Sequence, residues 1–161
     1  MAAAYSFVSH WQAPASPERV WAELERSLVP VTTGPRARPG WWPGVEVPMP
    51  PRRLVPGERV VLAVRSPLGY VLRMRLELTD VEPGRTLAAR SDGDLRGSGR
   101  LEVAPALRDA TCAEVRVRWD VETRRAWMNA TAWVLRPAFT RAHGTVMRRG
   151  ERGLRRALSG A

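Results

Sequence analysis

The sequence predicts an α+β fold: a seven-stranded antiparallel sheet with one apolar face, covered by a long C-terminal helix, with one or two short helices after the first strand. Three observations predict it. From Val45 onward, several extended segments alternate apolar and charged residues, the period-2 mark of a half-buried strand. Turn chemistry separates these segments by gaps too short for parallel crossovers, which need a dozen or more residues. Residues 124–159 then switch to helical periodicity: taking Phe139 as origin, Leu135, Ala142, His143, Val146, Gly150, Gly153, Leu154 and Ala157 fall within about 60° of it, and Arg141, Arg148, Arg152 and Arg155 fall on the far side.

Taken in order, residues 5–13 read as the first strand, with Tyr5, Phe7, Ser9 and Trp11 on one face and Ser6, Val8, His10 and Gln12 on the other. His10 reads as structural or solvated. Ser16-Pro17-Glu18 is a helix start: serine caps, proline takes the first helical position, and an acid occupies the first turn. Val20, Trp21, Leu24 and Leu28 continue at helical spacing, and the helix ends near Pro30. Residues 30–44, rich in proline and glycine, form a loop or at most a short second helix. Within it, Trp41 and Trp42 are large rings in an irregular segment, read either as binding groups or as a plug over the core edge.

Turns at Pro56-Gly57, Ser66-Pro67-Leu68-Gly69, Pro83-Gly84 and Asp92-Gly93-Asp94, and a loop over 105–110, delimit six further strands at roughly 45–54, 58–65, 70–81, 85–91, 94–104 and 111–122. Their alternation fixes the buried face. Tyr70, Leu72, Met74, Leu76 and Leu78 oppose Arg73, Arg75 and Glu77; Leu95, Gly97, Gly99, Leu101 and Val103 oppose Arg96, Arg100 and Glu102; Val115, Val117, Trp119 and Val121 oppose Glu114, Arg116, Arg118 and Asp120. Such a sheet needs a cover, and the terminal helix is the one element long enough. Gly97 and Gly99 mark a bend in the sheet or a close approach to it. The glycines of the helix stripe are unusual too, because each costs about 1 kcal/mol relative to alanine; they imply close backbone approach or space left open, and so a helix that forms one wall of a ligand cavity.

Composition narrows the function. A length of 161 residues, 44% hydrophobic and 26% charged, suits a single domain over 1–161. No apolar run reaches a membrane span and residues 1–4 lack a secretory signal, so a cytoplasmic protein is expected. One cysteine, Cys112, rules out an internal disulfide and reads as inert; two separated histidines offer no metal cluster. The net charge of +10 is concentrated at the end: residues 124–159 hold nine arginines and one acid, for +8, while residues 1–123 hold 17 arginines and 15 acids. With no lysine and no isoleucine in the chain, this arginine face reads as an ordinary solvated surface before it reads as a site for nucleic acid or another anionic partner.

The order of elements and several motifs resemble the helix-grip superfamily: START-like, or SRPBCC, proteins of the polyketide cyclase/dehydrase and lipid-transport group. Pro17-Glu18-Arg19-Val20-Trp21, Trp41-Trp42-Pro43-Gly44-Val45, Gly93-Asp94-Leu95-Arg96-Gly97-Ser98-Gly99-Arg100 and the segment 143–154 carry the resemblance. It implies a sheet curled around the C-terminal helix, with a deep and mostly apolar cavity between them, in a family whose members bind lipids, hormones or polyketides. With the glycine stripe and the apolar sheet face, a small hydrophobic ligand such as a polyketide, lipid or isoprenoid is expected there, in a monomer or homodimer. It also implies the alternative of a cofactor-independent polyketide aromatase/cyclase or dehydratase.

Residues assigned to the cavity follow from the inner faces. His143, the one ionisable side chain of the helix stripe, is the candidate acid/base or hydrogen-bonding group; the competing reading is a core histidine held by a backbone carbonyl or an aromatic hydroxyl. Tyr70 is a second polar candidate, or a strand-end residue with its hydroxyl in water. Asp80 shares Tyr70's parity but precedes a turn and reads as solvated. Trp42, Met74, Trp119, Phe139 and Met147 supply apolar wall, as do Leu72, Leu95 and Val117 on the inward strand faces. No nucleophile–histidine–acid spacing, phosphate loop or paired histidines occurs, so no cofactor is expected.

Overall fold

The computed structural model of the chain describes residues 2–29 and 40–160. Strand β1 (Ala4–Ala13) is followed by helix α1 (Pro17–Leu28), strands β2 (Val45–Met49), β3 (Arg59–Arg65), β4 (Val71–Glu82), β5 (Thr86–Gly93), β6 (Leu95–Ala106) and β7 (Asp109–Thr123), and helix α2 (Ala126–Ser159). The seven strands form one sheet in the order β1-β7-β6-β5-β4-β3-β2, with every pairing antiparallel. It is a helix-grip fold: the sheet curls and α2 lies in its concave side.

Local chemistry explains the elements and their departures from expectation. Ser16 caps α1 through its Oγ, which accepts from the Arg19 N–H at 3.4 Å, with Pro17 in the first turn. Strand β2 is shorter than the predicted 45–54, because Pro48, Pro50 and Pro51 have no N–H to give a ladder. In β4 the register shifts between Leu78 and Asp80. This bulge turns Asp80 to the exposed side, 3.7 Å from Arg100, and brings Val81 against the core, so parity beyond Leu78 is the reverse of simple alternation. β6 and β7 extend to Ala106 and Asp109, leaving a two-residue connection where a loop over 105–110 was expected. Of the predicted loop or second helix over 30–44, residues 30–39 lie outside the described residues; residues 40–44 form turns.

Helix α2 is anchored at both ends. At its start, the Arg125 guanidinium donates from Nη2 to the Val71 carbonyl and to Asp94 Oδ2, both at 2.8 Å; Asp94 Oδ2 also accepts from the Arg73 N–H at 2.7 Å. Burial pulls the Asp94 carboxyl up, and the bonds from Arg125 and Arg73 more than offset this, holding it below its usual range. Asn129 adds a bond from Nδ2 to the Thr123 carbonyl and accepts the Ala3 N–H.

Toward the other end, the helix glycines meet the tryptophan pair. A Cβ on Gly150 would lie 2.6 Å from the Trp42 ring, and one on Gly153 would overlap the Trp41 carbonyl. The close approach anticipated from the glycines is therefore real, and Trp41 and Trp42 are what approach. Trp42 Nε1 donates to the Val146 carbonyl at 3.0 Å, its ring stacks on Trp41 at 5.6 Å, and Trp11 meets it edge-on at 5.1 Å. Phe139, Ala142, Val146, Met147, Gly150, Gly153, Leu154 and Leu158 form the buried stripe, with Arg141, Arg148, Arg152 and Arg155 exposed behind it. Leu135, placed on the stripe by periodicity, is 36% exposed, and Trp133 is 86% exposed.

Gly153→Ala should lower stability by about 1–3 kcal/mol in urea or thermal unfolding, despite alanine's better helix propensity, because the clashing atom is backbone. Gly144→Ala, whose nearest neighbour is the movable end of Arg148 at 3.2 Å, should leave stability unchanged or raise it. A stable Gly153→Ala variant would mean that the Trp41 backbone is not seated on the helix.

Candidate functional site

Between the two anchors, α2 packs along β1 and stands off the rest of the sheet over an apolar cavity of about 240 Å³. The helix contributes Phe139, Ala142, His143, Val146 and Met147, and strands β2 to β7 contribute inward aliphatic side chains. Trp41 and Trp42 close one side, and Leu24 and Leu28 of α1 also reach the wall. All ten residues assigned from the sequence face this space: Trp42, Tyr70, Leu72, Met74, Leu95, Val117, Trp119, Phe139, His143 and Met147.

Inward parity places the strand residues there, and two local features shape the wall further. Gly99 pairs with Trp119 across β6 and β7, and a Cβ on Gly99 would lie 2.7 Å from the Trp119 ring, so the glycine gives the indole room to lie over the strand. Tyr70 precedes β4 and packs edge-on against Trp127 at 5.4 Å and Phe139 at 6.2 Å.

Tyr5 and Phe7 also line the cavity, and sequence reasoning did not assign them. The signal that could have found them was their inward parity on β1, where they share a face with Trp11. Phe7 stacks on Tyr5 at 5.7 Å and on His143 at 4.0 Å, and Tyr5 meets Phe139 edge-on at 6.4 Å. His143 is thus packed as an aromatic ring against β1. Its Nε2 is buried and has no hydrogen-bond partner, as is the Tyr5 hydroxyl, so neither a backbone carbonyl nor an aromatic hydroxyl holds that nitrogen. Burial alone pushes the His143 imidazole down from 6.5 to about 4, because the charged form would lose its water, and burial likewise raises the Tyr5 hydroxyl.

Other polar groups are used elsewhere. His10 Nδ1 lies 2.8 Å from Glu114 Oε1 on the exposed face, and Cys112 sits near Asp109 with a 3.5 Å Sγ–Oδ2 separation. Among the described residues, no group of three histidine, cysteine, aspartate or glutamate side chains is arranged to hold a metal ion, and no helix is long and apolar enough to cross a membrane.

Fold and cavity together define a START-like helix-grip protein. The chain belongs to the polyketide cyclase/dehydrase and lipid transport family, whose model matches residues 6–159. Among solved structures it is similar to a START superfamily protein from Mycobacterium smegmatis, with 14% identity over 96% of this chain and 97% of that one and a TM-score of 0.66. It is also similar to the Zhui aromatase/cyclase from Streptomyces sp. R1128, with 16% identity over 98% and 94% and a TM-score of 0.64. A protein from Thermus thermophilus aligns over 97% and 98% at 16% identity, with a TM-score of 0.63. Identities this low establish the shared fold. None of the curated proteins matches the chain.

The His143 shift predicts a pH signature. The unfolded chain binds a proton near 6.5 and the folded one only near 4, so stability is full above about 6.5 and falls as the pH drops toward 4. The loss is on the order of 3 kcal/mol, at about 1.4 kcal/mol per unit. Urea unfolding at pH 7 and pH 4.5 should show a smaller loss on acidification for His143→Leu than for the parent protein. Equal losses would mean the imidazole is not buried.

Proposed function

We propose that this protein binds or carries a small hydrophobic molecule, of polyketide, lipid or isoprenoid type, in the cavity between the sheet and α2. The observation that supports it is the cavity wall: aliphatic and aromatic side chains from α1, all seven strands and α2 converge on one space, and they leave it unfilled. A space of about 240 Å³ is somewhat below the ~300–1,000 Å³ usual for small-molecule sites, which favours a compact ligand or a single short chain. Apolar burial supplies the affinity, at roughly 25 cal/mol per Å².

The test is native mass spectrometry of the protein as purified, together with melting curves in the presence of medium-chain lipids, terpenes and aromatic polyketides. A copurifying apolar molecule, or a rise of several degrees in Tm with one class, is expected. Val117→Phe, which fills the space from β7, should abolish that rise. The reading is wrong if no apolar compound shifts Tm and the filled variant is simply more stable.

A second reading, an aromatase/cyclase that uses His143 as acid/base, draws on the unpartnered Nε2 at the cavity wall. An imidazole held near 4 is a weak base at neutral pH, and no carboxylate lines the cavity among the described residues to strengthen it. On this account, His143→Ala incubated with a poly-β-keto substrate shows no loss of turnover relative to the parent. A drop of a hundredfold or more would favour the enzyme.

A further inference from the structure

The polar atoms around the cavity are unevenly satisfied. Ser27 donates to the Leu24 carbonyl, Ser66 accepts the Leu68 N–H, and Trp42 donates to the Val146 carbonyl. Arg100, the one charged side chain of the wall among the described residues, bonds Glu102 at 3.0 Å and lies 3.7 Å from Asp80. The Tyr5 hydroxyl and His143 Nε2 are different: both residues line the cavity, and both atoms are buried without a partner. They flank one ring, since Phe7 stacks on Tyr5 and on His143, and so belong to one corner between β1 and α2. Trp41 Nε1 is also unpartnered, but it is a donor only and belongs to the segment seated on Gly153.

We propose that this corner selects uncharged ligands carrying one hydroxyl or carbonyl group, seated against Tyr5 and His143, over carboxylates or phosphates of the same size. The inference rests on the reading of the cavity as a hydrophobic-ligand site. A phenol both donates and accepts, and a neutral imidazole has one donor and one acceptor nitrogen, so a ligand hydroxyl is matched in either tautomer. Buried polar atoms in native proteins are nearly always paired, and an unpaired couple at a cavity wall is a place for a ligand to complete. An anion has no such match. Burying a charge without a counter-charge is far costlier than burying a hydroxyl that is bonded.

The nearby cations are already committed. Arg136 lies over the Tyr5 ring at 5.3 Å and donates to the Ala4 carbonyl, and Arg125 is bonded to Asp94. Burial keeps His143 uncharged at neutral pH.

At roughly 30 Å³ per water-sized or methylene-sized group, the cavity holds about eight, so eight-carbon probes fit it. Isothermal titration at pH 7.5 of the full chain with 1-octanol, 2-octanone, 1-chlorooctane and octanoate separates the claims. Octanol and octanone should bind about threefold to tenfold more tightly than the chloride, as one net hydrogen bond requires, and at least about tenfold more tightly than octanoate. In His143→Leu the alcohol-to-chloride ratio should fall toward one, and in Tyr5→Phe, an independent variant that keeps the ring, it should fall in part. Octanoate binding as tightly as octanol overturns the proposal, as does a ratio unchanged in both variants. Chloride and alcohol binding alike would leave the hydrophobic-ligand reading standing and remove the selection; no binding by any of the four would remove both.

Discussion

The seating of Trp41 and Trp42 on the glycine face of α2 is the contact on which the rest of the structure depends. Large rings need a groove, and Gly150 and Gly153 provide it at the cost of helix propensity. Trp42 then serves three surfaces at once. It packs on Gly150 and Trp11, bonds the Val146 carbonyl, and faces the cavity. With Arg125, Asp94 and Asn129 holding the start of α2, the helix is fastened at both ends, and the span from Phe139 to Met147 packs on β1 through His143 and Phe7 without being drawn onto the rest of the sheet. An unfilled apolar space forgoes packing energy on the order of a few kcal/mol, so a helix free to settle would close it. The anchors prevent that.

The chemistry of the interior follows from the same arrangement. A wall built from inward strand residues and one helical stripe is apolar almost throughout, and its one histidine is stacked on Phe7 and kept neutral by burial. That environment suits recognition by shape, area and a single hydrogen-bonding corner. Acid–base work at neutral pH asks for an imidazole nearer its ordinary value, with a partner to orient it. Arg141, Arg148, Arg152 and Arg155 lie on the other side of α2, separated from the cavity by the helix itself.

Much of the fold was legible because alternation and turn chemistry are local signals. Leu72, Met74, Val117 and Trp119 were placed inward by parity, and Phe139 and His143 by the helix stripe; seven strands and a covering helix then brought them to one space. What was not legible depends on contacts distant in sequence. The bulge after Leu78 reverses parity without any glycine or proline to announce it. The Arg125–Asp94 clamp joins residues 31 apart that read as two ordinary surface charges. Glycines in a helix signal close approach without naming the neighbour, and only the fold supplies Trp41 and Trp42. Periodicity also places Leu135 on the stripe, yet it is exposed while Met128 and Phe139 on either side of it are buried. Tyr5 was visible on the right face of β1, but its unpaired hydroxyl belongs to three-dimensional packing.

The central claim is that the span of α2 from Phe139 to Met147 and the inner face of the sheet enclose a site for an apolar molecule. A crystal structure of the protein soaked with 1-bromooctane tests it most directly, because bromine reports its own position by anomalous scattering. The account predicts a bromine peak in the space bounded by Phe139, Met147, Met74 and Trp119, with α2 unmoved and Trp42 still seated on Gly150. A cavity closed by its own side chains, with bromine only at the exposed Trp133 face or nowhere, would contradict it.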